Sequence, residues 1–391
     1  MIAAAVTPDR PARLDPPAIV APAPSEVSFG RVAGTVGPGA SRIVVAVDGR
    51  VVAERCVRGG RFSLTLSLPP RDVAVRVTAI GSDGKRASTT IGPVFGLPSA
   101  AAPAVIRGFE DPQLTRRTRE LAESFPGIAA VYVQDLRTGR GAAWNARARF
   151  PAASTLKLAI AVEVLRELDR APAPSSRLGR LLREMLVYSD NEAANELEVW
   201  LGGSTSAGSA KVNATMRALG LADSEMFGGY EVLTAAGPRP IPLRVEREPA
   251  FGRGKHTTAY DLARLARLLH LAAGGRGALV HRVRGFTPAE ARALLFLLAH
   301  SADRGKLDRF VGREPGVAVL HKSGWIATAR HDAGLVYWPE GGYVAAVMTW
   351  SPGGAGPASD RLAGRVVRAA LDRFRVLLAA EPYDERRGRT D

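Results

Sequence analysis

Phe150-Pro-Ala-Ala-Ser154-Thr-Leu-Lys157-Leu-Ala-Ile160 is the stretch on which both the fold and the chemistry turn. Leu156, Leu158, Ile160 and Val164 predict a helix over about 154–168, entered just after a proline. Placed at the start of that helix, the Ser154 hydroxyl lies over the unpaired N–H groups of a first turn, where negative charge is favoured. Lys157 stands three residues later, on the same helical face and among aliphatic neighbours. Burial there disfavours the ammonium form and lowers its pKa toward that of a general base for serine. The bland alternative is a helix cap followed by a snorkelling surface lysine, and Ser-x-x-Lys alone does not decide between them.

Two further strings bear on the choice. Ser189-Asp190-Asn191-Glu192 precedes a helical pattern over about 190–201. Ser189 with Glu192 fits a capping box. Equally, a Ser189 hydroxyl suits proton relay to a leaving group, and the Asn191 amide suits holding an acyl-amide chain. Lys322-Ser323-Gly324 follows Val317-Ala-Val-Leu320 and is expected on a strand. There a cation, a hydroxyl and an unobstructed backbone edge are the parts of a carboxylate-binding position. An edge-strand lysine that blocks aggregation is the competing reading. Only six of the 53 basic residues are lysines, so a lysine in both required places argues against coincidence.

Taken together, Ser154-Thr-Leu-Lys157, Ser189-Asp190-Asn191 and Lys322-Ser323-Gly324 resemble the penicillin-recognising serine hydrolases, specifically the class A β-lactamase-like family. Val131-Tyr-Val-Gln-Asp135-Leu-Arg-Thr138-Gly139, Thr257-Thr258-Ala and His321 to Met348 extend the resemblance, which covers about 111–380. It implies that Ser154 attacks a lactam or amide carbonyl with Lys157 helping to remove its proton. It further implies an oxyanion hole from the backbone N–H groups of Ser154 and Trp325, proton transfer through Ser189, an acyl-amide contact from Asn191, and a carboxylate held by Lys322 and Ser323 beside Gly324, with Arg330 nearby. The substrate class implied is a β-lactam or a related cyclic or D-amino-acid amide. Two departures stand out. No Glu-x-x-Leu-Asn string lies between Asn191 and Thr257, leaving Glu225 and Glu231 as candidates to position a deacylating water. The segment from Lys157 to Ser189 is also shorter than in typical class A enzymes, which opens the cleft on that side. A slow-deacylating penicillin-binding D-alanyl peptidase or esterase is therefore the rival enzyme, and a non-catalytic cell-envelope binding protein the rival of another class.

The rest of the chain frames this region. Residues 1–25 hold six prolines and are expected to form a disordered tail. From 26 to 98, alternating runs (Phe62, Leu64, Leu66, Leu68; Val73, Val75, Val77) separated by Asp48-Gly49, Gly59-Gly60 and Asp83-Gly84 predict an all-β, Ig-like sandwich. A linker over 99–110 leads into 111–380, where terminal helices, an antiparallel sheet and a helical insertion predict an α+β, layered α/β/α domain of β-lactamase/transpeptidase type. A charged tail, 381–391, follows. The net charge of +15 comes mostly from arginines scattered along the chain, which reads as a solvated basic surface and sets nucleic-acid binding aside. The single cysteine, Cys56, excludes an intramolecular disulfide and a Cys-based zinc cluster, and its Val-rich setting predicts a buried thiol. With no G-x-S-x-G elbow and no H-E-x-x-H helix, neither an α/β-hydrolase nor a zinc hydrolase is indicated; no metal or cofactor is expected. No run is long enough for a membrane helix, and Met1 to Val6 is too short for a complete secretory signal. By resemblance the protein is expected to be extracytoplasmic and monomeric, with cell-wall association through the sandwich.

Overall fold

A computed structural model describes residues 14–58, 60–168, 170–229, 249–252 and 254–380, the last three without their side chains. The chain divides into two compact units, up to Ser99 and from Ala100 onward. Among the described residues no helix is long and apolar enough to cross a membrane.

The first unit is a β-sandwich. Strands β1 (Ala18–Ala21), β3 (Arg31–Thr35) and β6 (Arg61–Thr65) form one antiparallel sheet in the order β1-β3-β6. The other sheet runs β2-β8-β7-β4-β5, from β2 (Val27–Ser28), β4 (Ala40–Val47), β5 (Arg50–Cys56), β7 (Asp72–Gly81) and β8 (Arg86–Gly96). Alternation places Val73, Val75 and Val77 inward, where they meet Val32, Ile43, Val45, Phe62 and Val94 in one core. Asp48 and Gly49, both at positive φ (48° and 84°), close the β4–β5 hairpin; such turns match the right-handed twist of the strands they join.

Two expectations change here. The proline-rich segment is not wholly a tail: Ala18-Ile-Val-Ala21 adds to the edge of a sheet, where flanking prolines are tolerated because one side of the strand needs no partner. Cys56 is exposed rather than buried, because β5 is the edge strand of its sheet and points few side chains into the core.

The second unit has a six-stranded sheet in the order β14-β15-β16-β10-β11-β9. Its strands are β9 (Phe109–Glu110), β10 (Ile128–Asp135), β11 (Arg140–Trp144), β14 (Ala318–Ile326), β15 (Ala329–Trp338) and β16 (Gly341–Trp350), all antiparallel to their neighbours except the β9/β11 pair. A short pair, β12 (Phe150–Pro151) and β13 (His256–Thr257), lies apart from it. Helices α1 (Pro112–Glu123) and α9 (Pro357–Ala380) cover one face, through a core that includes Leu114, Leu121, Val131, Val336, Trp338, Val366, Val367 and Phe374. Asp111 fixes this layer twice over: its carboxylate caps α1 at Leu114 N (2.8 Å) and pairs with Arg373 of α9 (2.9 Å).

The remaining helices are α2 (Lys157–Arg166), α3 (Arg177–Val187), α4 (Asn191–Gly202), α5 (Thr205–Ala218), α6 (Ala259–Ala273), α7 (Ala278–Arg282) and α8 (Pro288–Ala299). Of these, α6 packs against β10, β15 and β16, and α8 against β14, completing three layers around the sheet. The expected α/β/α architecture is present. The α3, α5 and α7 helices were not anticipated; α5, Thr205-Ser-Ala-Gly-Ser-Ala, offers too many small residues to show an apolar stripe.

Candidate active site

The region around Ser154 is built differently from a plain helix start. Ser154 lies before α2, in a turn held by i→i+3 bonds from Thr155 N to Ala152 O (3.2 Å) and Lys157 N to Ser154 O (3.3 Å). Ala153 precedes it at φ 47°, a left-handed conformation that a non-glycine residue adopts only when its surroundings enforce it. Those surroundings are β12 and β13, whose pairing extends to a bond from Ala152 N to Lys255 O (2.9 Å). Ser154 is therefore half-exposed on a shaped turn, while Lys157, the first residue of α2, is fully buried.

Lys157 donates to the Ser189 carbonyl and to Asn191 Oδ1, both at 2.5 Å. Burial, reinforced by the Lys322 ammonium, pushes its pKa from 10.5 down to about 7. Ser189 is not a helix cap. It sits at φ 62°, whereas a cap needs extended backbone, and Asp190 (φ −61°, ψ 133°) caps α4 instead by accepting from Ala193 N (2.7 Å). The Ser189 hydroxyl is thereby left to Lys322, whose Nζ reaches it at 3.0 Å. Burial lowers the Lys322 pKa to about 8 against the opposing pull of Asp332 and Asp303. One chain of contacts thus runs from Lys157 through Ser189 to Lys322.

Gly324 closes the arrangement. It lies on β14, an edge strand of the sheet, and a Cβ there would stand 2.6 Å from Ser154 N and 2.8 Å from Thr155 N. Only glycine lets this strand edge meet the backbone N–H groups at the serine turn. Trp325 follows, largely exposed. The two N–H groups expected to receive an oxyanion thus belong to segments in contact.

Arg330, His321 and Glu225 are engaged with other partners. Arg330 does not join the cluster: its Nε donates to Asp360 Oδ1 of α9 (2.8 Å). Successive residues on a strand point to opposite faces, and its neighbour His331 takes the other one, with Nε2 2.7 Å from Pro151 O. His321 is buried against Asp332 (2.8 Å). Glu225 bridges His256 through backbone bonds of 2.9 and 3.2 Å, and its carboxylate acts on that imidazole. Glu231 lies outside the described residues.

Sequence reasoning missed Asp303 and Lys306. Ser323 Oγ donates to Asp303 Oδ2, and Lys306 Nζ donates to Asp303 Oδ1. Burial opposes ionisation of Asp303, yet these two hydrogen bonds hold its carboxyl below the usual range. No motif marks this pair; its only signal was the scarcity of lysine. Also missed was Lys255, which burial brings down to about 8 and whose charge acts on Lys157.

The chain is similar to known proteins. A beta-lactamase of Streptomyces lavendulae is 31% identical over 99 residues, 25% of this chain and 30% of that protein. Among solved structures, PBP-A is 24% identical with a TM-score of 0.54, over 70% of this chain and 100% of that one. A beta-lactamase from Sphaerobacter thermophilus DSM 20745 (22%, TM-score 0.52, 68% and 98% covered) and an ancestral class A beta-lactamase (23%, TM-score 0.51, 67% and 100% covered) share the fold. The family model described as the beta-lactamase enzyme family matches residues 113–176 and 169–374. With more than half of its length matched, the chain belongs to the beta-lactamase enzyme family.

Proposed function

We propose that the second unit is a serine hydrolase working through an acyl-enzyme on β-lactams or related cyclic or D-amino-acid amides. The observation that carries this reading is Lys157: a fully buried lysine, three residues after Ser154, held near pKa 7 and tied to Ser189 and Asn191. A lysine that is neutral at physiological pH is a base, whereas an ordinary one is not. In the proposed reaction Lys157 takes the Ser154 proton as Oγ attacks the carbonyl carbon. The N–H groups of Ser154 and Trp325 receive the oxyanion. Collapse breaks the C–N bond, and the leaving nitrogen takes a proton through Ser189, which Lys322 polarises from 3.0 Å. Asn191 borders the acyl-amide chain; Lys322 and Ser323 border the group beside the scissile bond. Water then releases the acyl group, with Glu225 or Glu231 as candidates to position it. The protein is proposed to act outside the cytoplasm, with the sandwich contacting the cell envelope.

The test follows colour and intact mass together after mixing the protein with a chromogenic cephalosporin, as free acid and as ester. Sustained colour supports hydrolysis, and a stable adduct on Ser154 supports a slow-releasing penicillin-binding peptidase. Neither colour nor adduct with either compound refutes acylation. Ser154→Ala is expected to abolish both signals without changing the circular dichroism; a wild-type rate would remove Ser154 as nucleophile.

A further inference from the structure

The position beside Ser323 already holds an anion. A serine hydroxyl has one proton to give, and Ser323 gives it to Asp303. The side chain of Asp303 is about one-third exposed (34%), while that of its other partner, Lys306, is nearly buried (3%). The contact is built rather than incidental. Ala302 N is bonded to Val187 O (2.9 Å), two residues before Ser189, and Gly305 N and Lys306 N donate to Asp308 Oδ1 at 2.7 and 3.0 Å. Lys322 is committed to Ser189 Oγ and to the Ser323 carbonyl (2.8 Å). What this corner presents beside the Gly324 edge is therefore a carboxylate already paired with Lys306 and the lone pairs of a hydroxyl: acceptors, with Lys322 held by Ser189 and the Ser323 carbonyl.

We propose that Asp303 determines specificity at this site: it fills the anion position next to Ser323, so the site prefers acyl substrates bearing a neutral hydrogen-bond donor, such as a carboxamide, where a free carboxylate would otherwise sit. A free carboxylate brought to Ser323 meets a hydroxyl already spent and a like charge that Lys306 offsets only in part, whereas a carboxamide N–H finds two acceptors. The inference rests on acylation of Ser154 as proposed above.

The experiment measures the rate of Ser154 acylation by intact mass on the full chain, with benzylpenicillin and with its carboxamide, and takes the ratio within each variant so that the folded fraction cancels. Wild type is expected to favour the carboxamide by about tenfold, less than an unpaired like charge a few ångströms away would give, because Lys306 is paired with Asp303. Asp303→Asn should move the ratio about tenfold toward the free acid, and Asp303→Glu, which keeps the charge, should retain the wild-type preference. A wild-type preference for the free acid, or an Asp303→Asn ratio within about twofold of wild type, overturns the role of Asp303 while leaving acylation standing. Absence of a Ser154 adduct from both compounds overturns acylation itself, and this inference with it.

Discussion

Replacing Lys322 by Gln tests the electrostatics of the site more directly than removing the Ser154 hydroxyl. At about 7, Lys157 is half neutral at pH 7, whereas a lysine at 10.5 is neutral in only about one molecule in 3,000. Burial is the larger cause of that difference, and the Lys322 ammonium is the next. Both ammonium groups contact Ser189, one at its carbonyl and one at its hydroxyl, so their separation is on the order of 6 Å; at an effective dielectric of about 20 the repulsion is roughly 3 kcal/mol, or about two pH units at most. The sign follows from the proposed active form: neutral Lys157 would accept the serine proton, so acylation is expected to rise as pH climbs through about 7. In wild type it should fall again above about 8, as Lys322 loses its proton. In Lys322→Gln the repulsion is gone, Lys157 holds its proton more tightly, and the rising limb moves up by about one to two pH units while the falling limb disappears. The assay is the acylation rate by intact mass from pH 5.5 to 10. Loss of the hydrogen bond to Ser189 lowers the amplitude but does not move the midpoint, so a rising limb that stays near 7 or shifts downward refutes the coupling.

Two further outcomes probe the frame around the site. Gly324→Ala places a methyl 2.6 Å from Ser154 N, against backbone rather than a flexible side chain, and is expected to lower stability by about 1–3 kcal/mol and to reduce acylation together; a variant with wild-type melting temperature and rate would show that the strand and the serine turn are not in contact. His331 is buried, donates from Nε2 to Pro151 O and accepts at Nδ1 from Thr349 N (3.3 Å), and burial lowers its pKa from 6.5 to about 4. Between those values the unfolded chain binds a proton that the native state refuses, so stability should fall by about 3 kcal/mol as pH drops from 6.5 to 4. Denaturant titrations of wild type and His331→Gln across that range check it: the variant should lose this part of the slope, and identical slopes would refute the assignment.

Much of the architecture was legible in the chain, and the reasons are local. Alternating valines at 73, 75 and 77 give a strand by period alone. The helix expected over about 154–168 and observed from Lys157 to Arg166 is likewise a property of a short segment. Ends and exceptions were less legible. Ser189 has the composition of a cap, yet its neighbour caps α4, because packing holds Ser189 at a positive φ that no propensity scale anticipates. Cys56 reads as a core residue among valines, but whether a strand is central or an edge is decided by which strands come beside it.

By itself the sequence determined which residues are proposed to do chemistry: Ser154 with Lys157, Ser189 with Asn191, and the Lys322-Ser323-Gly324 run, each a pattern carried by adjacent positions. Only the tertiary structure decided what those residues face. It turned Arg330 to Asp360 on the far face of the sheet, brought Lys157 and Lys322 to two ends of one serine, and set Asp303 against Ser323 from twenty positions away. Charge and hydrogen-bond partners act over a few ångströms of space, and such neighbours are chosen by how layers pack, so their effect on a site is invisible until the chain is folded.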